Sequence, residues 1–139
     1  MEKYYEQFEH TGDIGIYVYA NSIVELFENA AKAMFDLITD LNQVHLLQTQ
    51  TIEITAMDQE ELLVNWLSGL NFLFQTKFFL GHEFHVVTFT HTTLTATVTG
   101  ETRHADRHPI DMEIKAVTFH NLKIEQTANG WVGRIIFDI

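Results

Sequence analysis

Three carboxylates in this chain have the chemistry of a small cation site if the fold brings them together. Asp13 closes the polar turn His10-Thr11-Gly12-Asp13, which breaks directly into the alternating run Ile14 to Ala20. Asp138 lies in the terminal stretch Trp131 to Ile139, and Ile139 carries a free α-carboxylate. Termini usually fray, so a chain stopping on Phe137-Asp138-Ile139 is expected to have its end held in place. Aspartate titrates at about 3.9 and an α-carboxyl at about 3.3–3.7, so all three groups are ionised at neutral pH. Two such charges about 4 Å apart repel by about 4 kcal/mol at an effective dielectric of 20. A cation removes that cost, and an all-oxygen set suits Ca²⁺ or Mg²⁺. The plainer alternative has Asp13 capping a turn and Asp138 sitting in solvent at a strand end.

Other groups are weighed in the same way. Eight histidines raise a zinc reading, with His104 and His108 four apart and His82 and His85 three apart. Arg103 to Pro109 reads as loop, however, and Pro109 pushes His108 toward an extended conformation. Solvent-exposed loop histidines are therefore expected there. His10 and His120 differ, because each adjoins a proposed carboxylate; each either fixes a turn by a hydrogen bond or has a functional role. Lys115, in Met112-Glu113-Ile114-Lys115-Ala116-Val117, reads as a solvent-facing strand lysine beside Glu113. Ser22 and Ser68 are the only serines and both fall in helical patterns, which argues against a serine triad. With no cysteine, disulfides, thiolate metal sites and cysteine nucleophiles are excluded. No glycine-rich phosphate loop is present.

The elements that must position these groups follow from periodicity. Tyr4 to Phe8 reads as a first strand, and Ile14 to Ala20 as a second with Ile14, Ile16 and Val18 on one face. Ser22 and Glu25 form a capping box opening a helix over Ile23 to Ile38, whose apolar residues recur at three- and four-residue steps. Thr49 to Ala56 alternates as a strand with one wet face. Asp58 and Glu61 repeat the capping pattern and open a second helix to about Phe74, with a stripe of Leu62, Leu63, Trp66, Leu67, Leu70 and Leu73. Phe84 to Thr90 and Thr93 to Thr99 read as strands, and Gly100 to Asp111, with the only proline, as a long surface loop.

Met112 to Glu125 is again extended, and Asn129-Gly130 signals a type I′ hairpin turn. Counting outward from a two-residue loop sets Leu122 opposite Phe137, Asn121 opposite Asp138 and His120 opposite Ile139. A bulge would shift that register. The order of elements predicts a single α+β domain over residues 1–139, two-layered. Its two long amphipathic helices pack on one face of a mixed, largely antiparallel sheet.

Composition narrows the function classes. A chain of 139 residues buries roughly 68–70% of its unfolded surface. A hydrophobic share of 46% against 19% charged marks it as globular rather than disordered. Nineteen acids against eight bases leave a net charge of −11, which repels phosphate backbones and anionic membranes. Direct nucleic-acid binding and membrane attachment are therefore not expected. Such a surface still suits docking on the basic face of a nucleic-acid enzyme. Met1 to Glu6 shows no export signal, and no helical run is apolar enough for a membrane span, so a cytoplasmic protein is expected.

Four stretches carry a resemblance over essentially the whole chain. They are His10-Thr11-Gly12-Asp13-Ile14-Gly15; Leu26 to Ala31 with Met34-Phe35-Asp36; Glu113-Ile114-Lys115-Ala116-Val117-Thr118-Phe119-His120; and Ile136-Phe137-Asp138-Ile139. In order and spacing they resemble the archease family, with Gly12 where alanine is usual and Phe119 where tyrosine is common. The resemblance implies an accessory protein, not itself an enzyme, of the RtcB-type RNA ligase of tRNA splicing and RNA repair. It would promote guanylylation of that ligase and its multiple turnover. It also implies a metal site, generally calcium with Mg²⁺ or Mn²⁺ as alternatives, at Asp13, Asp138 and Ile139. Lys115 is implied as a functional residue. Two other classes stay open from the residues alone: a metal-dependent hydrolase with His10 or His120 as base, and a plain calcium-stabilised interaction module.

Overall fold

The computed structural model describes residues 3–139; Met1 and Glu2, which belong to the segment read for an export signal and to the 1–139 domain, lie outside the described residues. Each helix begins where its cap residue sits. Ser22 accepts a hydrogen bond from the Glu25 N–H at 3.1 Å and opens α1 (Ile23–Ile38). Asp58 does the same for the Glu61 N–H at 2.8 Å and opens α2 (Gln59–Lys77). In both, the third-position glutamate reaches back past the cap, Glu25 to the Asn21 N–H and Glu61 to the Met57 N–H. The two boxes thus satisfy helix-end donors that no carbonyl reaches. α2 runs three residues beyond Phe74 and stops at Phe78, whose φ of 59° is left-handed.

The seven strands are β1 (Tyr5–His10), β2 (Asp13–Ala20), β3 (Gln48–Thr55), β4 (Phe79–Phe89), β5 (Thr93–Thr102), β6 (Ala116–Thr127) and β7 (Gly130–Asp138). They form two sheets, ordered β1-β2-β7-β6 and β3-β5-β4, and every pairing is antiparallel. The single mixed sheet expected from the sequence is therefore corrected. Strand periodicity identifies strands but carries nothing about which sheet a strand joins. α1 packs on β1, β2 and β7 of the first sheet and on β4 of the second; α2 packs on β6 and on all three strands of the second. The α+β class with two helices on antiparallel sheets stands.

Burial follows these contacts. Phe27, Met34 and Phe35 of α1 and Leu63, Trp66 and Leu67 of α2 are fully buried. The Trp66 indole N–H donates to the Phe27 carbonyl at 2.9 Å, tying the helices together while satisfying a buried donor. α2 also leaves Phe72 exposed, so its apolar residues are not confined to one stripe.

Two expectations fail locally. The segment read as a surface loop from Gly100 begins inside β5, and Gly100, Glu101 and His108 are buried. The Thr39 hydroxyl donates to the Pro109 carbonyl and the Asp111 N–H to the Ile38 carbonyl, both at 2.8 Å, so the loop is lashed to the end of α1.

The β6–β7 register also differs. The turn residues are Ala128 and Asn129, with Thr127 opposite Gly130, and the left-handed φ of 139° falls on Gly130. The type I′ assignment thus placed the turn one residue too late. Further along, β6 bulges between Thr118 and Lys123, with Asn121 at φ 50°. Beyond the bulge Val117 opposes Phe137 and Ala116 opposes Asp138, in place of Leu122 and Asn121.

A glycine tests the second sheet. A Cβ on Gly100 would lie 1.8 Å from the Leu80 carbonyl oxygen, a backbone atom that cannot rotate away. Gly100→Ala should cost about 3 kcal/mol or more in urea unfolding. Gly133→Ala, whose Cβ meets Leu26 methyls at an ordinary 3.5 Å, should cost under about 1 kcal/mol. Equal losses would contradict the β4–β5 packing described here.

Candidate functional site

One row of residues crosses the end of the four-stranded sheet. His10 of β1 opposes Asp13 of β2, Asp13 opposes Asp138 of β7, and Asp138 opposes Ala116 at the start of β6. Directly opposed residues of antiparallel strands point to the same face, so Asp13 and Asp138 stand side by side. Thr11 and Gly12 turn the chain between β1 and β2, and the φ of 76° at Gly12 is one that glycine adopts without strain. A hollow of about 520 Å³ opens here, lined by Glu9 to Ile14 and by Ile139. The carboxylate of Asp13 and the last residue thus share one cavity, with Asp138 next to both.

Like charges directly opposed across strands destabilise a sheet. Among the described residues no lysine or arginine lies within ion-pair distance of either aspartate, and His10 Nδ1 comes no nearer than 3.6 Å to Asp13 Oδ2. That histidine nitrogen is buried without a hydrogen-bond partner. The donor chemistry, two carboxylates with Ile139 beside them, fits a hard cation. Among the described residues no three His, Asp or Glu side chains gather as a metal-holding group.

Lys115 is brought to the same end by backbone bonding. Its N–H donates to the Asp138 carbonyl at 2.8 Å, and its side chain is exposed. It lies just before β6 rather than on a strand, as the sequence suggested. The residue before it is clamped: the side-chain amides of Asn71 and Gln75 both donate to the Ile114 carbonyl at 2.8 Å. Sequence analysis missed these two as positioning residues. The signal was present at Asn71, a polar residue four positions after Leu67 on the buried side of α2.

His120 reaches the site by a different route from the one expected. It does not oppose Ile139; it projects from the β6 bulge, and its ring meets that of His10 edge-on with centroids 5.1 Å apart. His82 and His85 form no metal cluster among the described residues, and His82 Nδ1 lies 2.9 Å from the Val44 carbonyl.

His108 is the clearest correction, since it is wholly buried rather than solvent-exposed. Its Nδ1 accepts from the His104 N–H at 2.8 Å, which puts the ring proton on Nε2. Nε2 then faces the Gln43 carbonyl at 2.8 Å and Glu101 Oε2 at 3.2 Å. Glu101, itself 1% exposed, also accepts from the His45 N–H at 2.6 Å and from the Arg107 guanidinium. Burial pushes this carboxyl up, but the His45 N–H and Arg107, with His108, outweigh it and hold it below the ordinary carboxylate value. The cluster joins residues 101–108 to Gln43 and His45, and no periodic pattern in the sequence marks it.

Comparison with known proteins completes the picture. A sequence profile of the Archease protein family (MTH1598/TM1083) matches residues 5–139. The chain is 39% identical to protein archease of Methanosarcina acetivorans, over 99% of this chain and 97% of that one. It is 36% identical to protein archease of Methanopyrus kandleri, over 97% and 99%. Its fold is similar to the solution structure of Methanobacterium thermoautotrophicum protein 1598, with a TM-score of 0.84 at 36% identity over 98% and 99% of the two chains. It is also similar to a Thermotoga maritima archease described as a possible chaperone, with a TM-score of 0.66 over 96% of each chain. At 18% identity that second likeness concerns the fold alone.

The Glu101 cluster makes a pH prediction. Because its folded-state pKa is lowered, the ionised carboxylate contributes its stability fully above about pH 4.5, the ordinary value, and loses it as pH falls through the lower folded value. Glu101→Gln should be less stable than wild type at pH 7, and the gap should shrink in urea titrations as pH drops below about 4.5. A gap that stays constant with pH would rule out this assignment.

Proposed function

The chain belongs to the archease family, and on that premise we propose that it is an accessory protein of an RtcB-type RNA ligase. In this reading it promotes guanylylation and multiple turnover of the ligase and does no chemistry of its own. The observation that carries it is the row at the sheet end, where Asp13 opposes Asp138 and Lys115 is bonded to the Asp138 backbone. An exposed end with two opposed carboxylates and a lysine suits entry into a basic, nucleotide-handling cleft. The net charge of −11 favours encounter with such a surface.

Asp13, Asp138 and the Ile139 carboxylate would hold a divalent cation, Ca²⁺ before Mg²⁺ or Mn²⁺. The ion would supply positive charge that neutralises the opposed carboxylates and positions the end against the partner. Lys115 then contacts the partner or a nucleotide phosphate, and His10 and His120 shape the rim. The reacting groups belong to the ligase, and the working compartment is the cytoplasm.

The test is guanylylation of a cognate ligase with and without this protein. The rate should rise with it, and the protein alone should neither join RNA nor turn over phosphate esters. An unchanged ligase rate would sink the proposal, and ester turnover would restore the hydrolase class. Lys115→Ala should leave stability within about 0.5 kcal/mol, since the side chain is exposed and alanine keeps the N–H, yet it should impair activation.

Calcium calorimetry on metal-stripped protein addresses the ion. Asp138→Asn and a glycine-serine extension after Ile139 each remove one negative charge from the set, and both should weaken binding, whereas Ile139→Leu should not. A saturating ligand at about 100-fold its Kd adds about 2.7 kcal/mol to stability. Calcium should therefore raise the melting temperature of wild type more than that of either charge-loss variant. Equal affinity in the extended protein would remove the terminal carboxylate from the ligand set.

A further inference from the structure

The opposite end of the four-stranded sheet, where Ala20 of β2 pairs with Trp131 of β7, carries a second hollow that the acidic row does not use. At about 590 Å³ it falls within the common range of small-molecule pockets. Its chemistry is the inverse of the acidic end. Tyr4 and Trp131 line it, both half-buried, with Lys3 and Lys32 beside them. Tyr19 opposes Val132 rather than Trp131, so it borders the hollow with its backbone while its ring turns to the other face of the sheet. Neither lysine makes an ion pair among the described residues. Two of the chain's few cations thus converge on one cavity of a protein whose net charge is −11.

The lining is also ordered. The Lys32 ammonium lies 4.9 Å from the centroid of the Tyr4 ring, a contact that holds the side chain without neutralising it. Asn29 donates its side-chain amide to the Tyr19 carbonyl at 2.9 Å, which fixes the amide in the wall of the hollow. Among the described residues the one acid of the lining, Glu25, is engaged in the helix cap through the Asn21 N–H at 3.3 Å. Aromatic faces next to unpaired ammonium groups are the two elements that bind a flat, negatively charged molecule. Stacking on a ring contributes roughly 1–3 kcal/mol by alanine substitution and is tolerant of ring identity. An ammonium acts as a point charge toward phosphate or carboxylate.

We propose that this hollow binds a small anion built on a planar ring, either an aromatic acid or a nucleoside monophosphate, with the ring against Trp131 and the anionic group on Lys3 and Lys32. A single such molecule carries one or two charges, so the repulsion that keeps polymeric nucleic acid away does not prevent its entry. The site works without the metal and without the ligase.

The experiment is calorimetry on calcium-stripped protein with four probes: AMP, phenylacetate, adenosine and inorganic phosphate. AMP or phenylacetate should bind at least about tenfold more tightly than both adenosine and phosphate, and whichever does so identifies the source of the anion. Lys32→Gln, at an exposed position, and Trp131→Leu should each weaken that binding about tenfold, whereas Lys77→Gln should leave it unchanged. A thermal melt confirms that Trp131→Leu is folded, and Lys32→Gln decides the matter if it is not. The proposal is overturned if neither anion outbinds adenosine and phosphate, or if Lys32→Gln binds like wild type.

Discussion

The pairing of β2 with β7 is the constraint on which the rest of this structure depends. It runs unbroken over eight residue pairs, from Asp13–Asp138 to Ala20–Trp131, between the two inner strands of the sheet. A slip of one residue would turn every side chain to the opposite face, and the inward face forbids that. Ile16 opposes Ile135 and Ile14 opposes Phe137; Ile16, Ile135 and Phe137 are fully buried. The outward face is locked as well. Phe8 covers Gly15 so closely that a Cβ there would lie 2.1 Å from the ring, and Arg134 lies over the same ring at 4.9 Å. Asp13 and Asp138 take the next outward row beyond Gly15 and Ile136. Their adjacency is imposed by core packing, so the repulsion between them cannot be relieved by sliding the strands apart.

The outer strands and α2 then decorate that fixed pair. β1 brings His10 through a two-residue turn, and β6 brings His120 through a bulge that is local to the edge. Bulges collect at sheet edges, where they re-aim side chains without disturbing the inner register. Lys115 arrives by a third route. Asn71 and Gln75 of α2 hold the Ile114 carbonyl, and the Lys115 N–H completes the connection to Asp138. Each contributor is anchored by backbone bonds, so the side chains at this end are free to meet something outside the chain.

How much of this was legible in the sequence depended on the range over which each feature is encoded. α1 was read to its observed bounds, Ile23–Ile38, because its cap and its apolar spacing are both local. The inward set Ile14, Ile16 and Val18 was legible for the same reason. The Asn129-Gly130 signal located the hairpin, but the turn fell one residue earlier and the bulge at Thr118–Lys123 added residues to β6 alone. Counting from the turn therefore assigned the wrong partners to Asp138 and Ile139. Strand β4 was read five residues short, since bulges at Gly81–Glu83 and Val86–Thr88 break its alternation and leave Phe79, Leu80 and Gly81 buried in succession. Least legible was the Glu101 cluster. A polar stretch ending in proline reads as exposed loop, yet Glu101, Arg107 and His108 satisfy one another inside it. Mutual satisfaction among polar residues leaves no periodic trace. The placement of Asp13 beside Asp138 was inferred from a resemblance and from charge; no local pattern encodes it.

The two ends of the β2–β7 ribbon are chemically opposite and physically remote. Seven steps separate Asp13 from Ala20, which at about 3.3 Å each spans about 23 Å. The Debye length at physiological ionic strength is about 8 Å, so charge at the acidic end is screened from the lysine-lined hollow. Direct electrostatic influence between them is therefore small, and any communication has to pass through the strands themselves. Those strands pair without a bulge over eight residues. An unbroken ladder of this kind transmits position more readily than a change of conformation. If both ends bind as proposed, the far hollow would fill or empty independently of a partner at the acidic end, with the β2–β7 pairing as the fixed spacer between them.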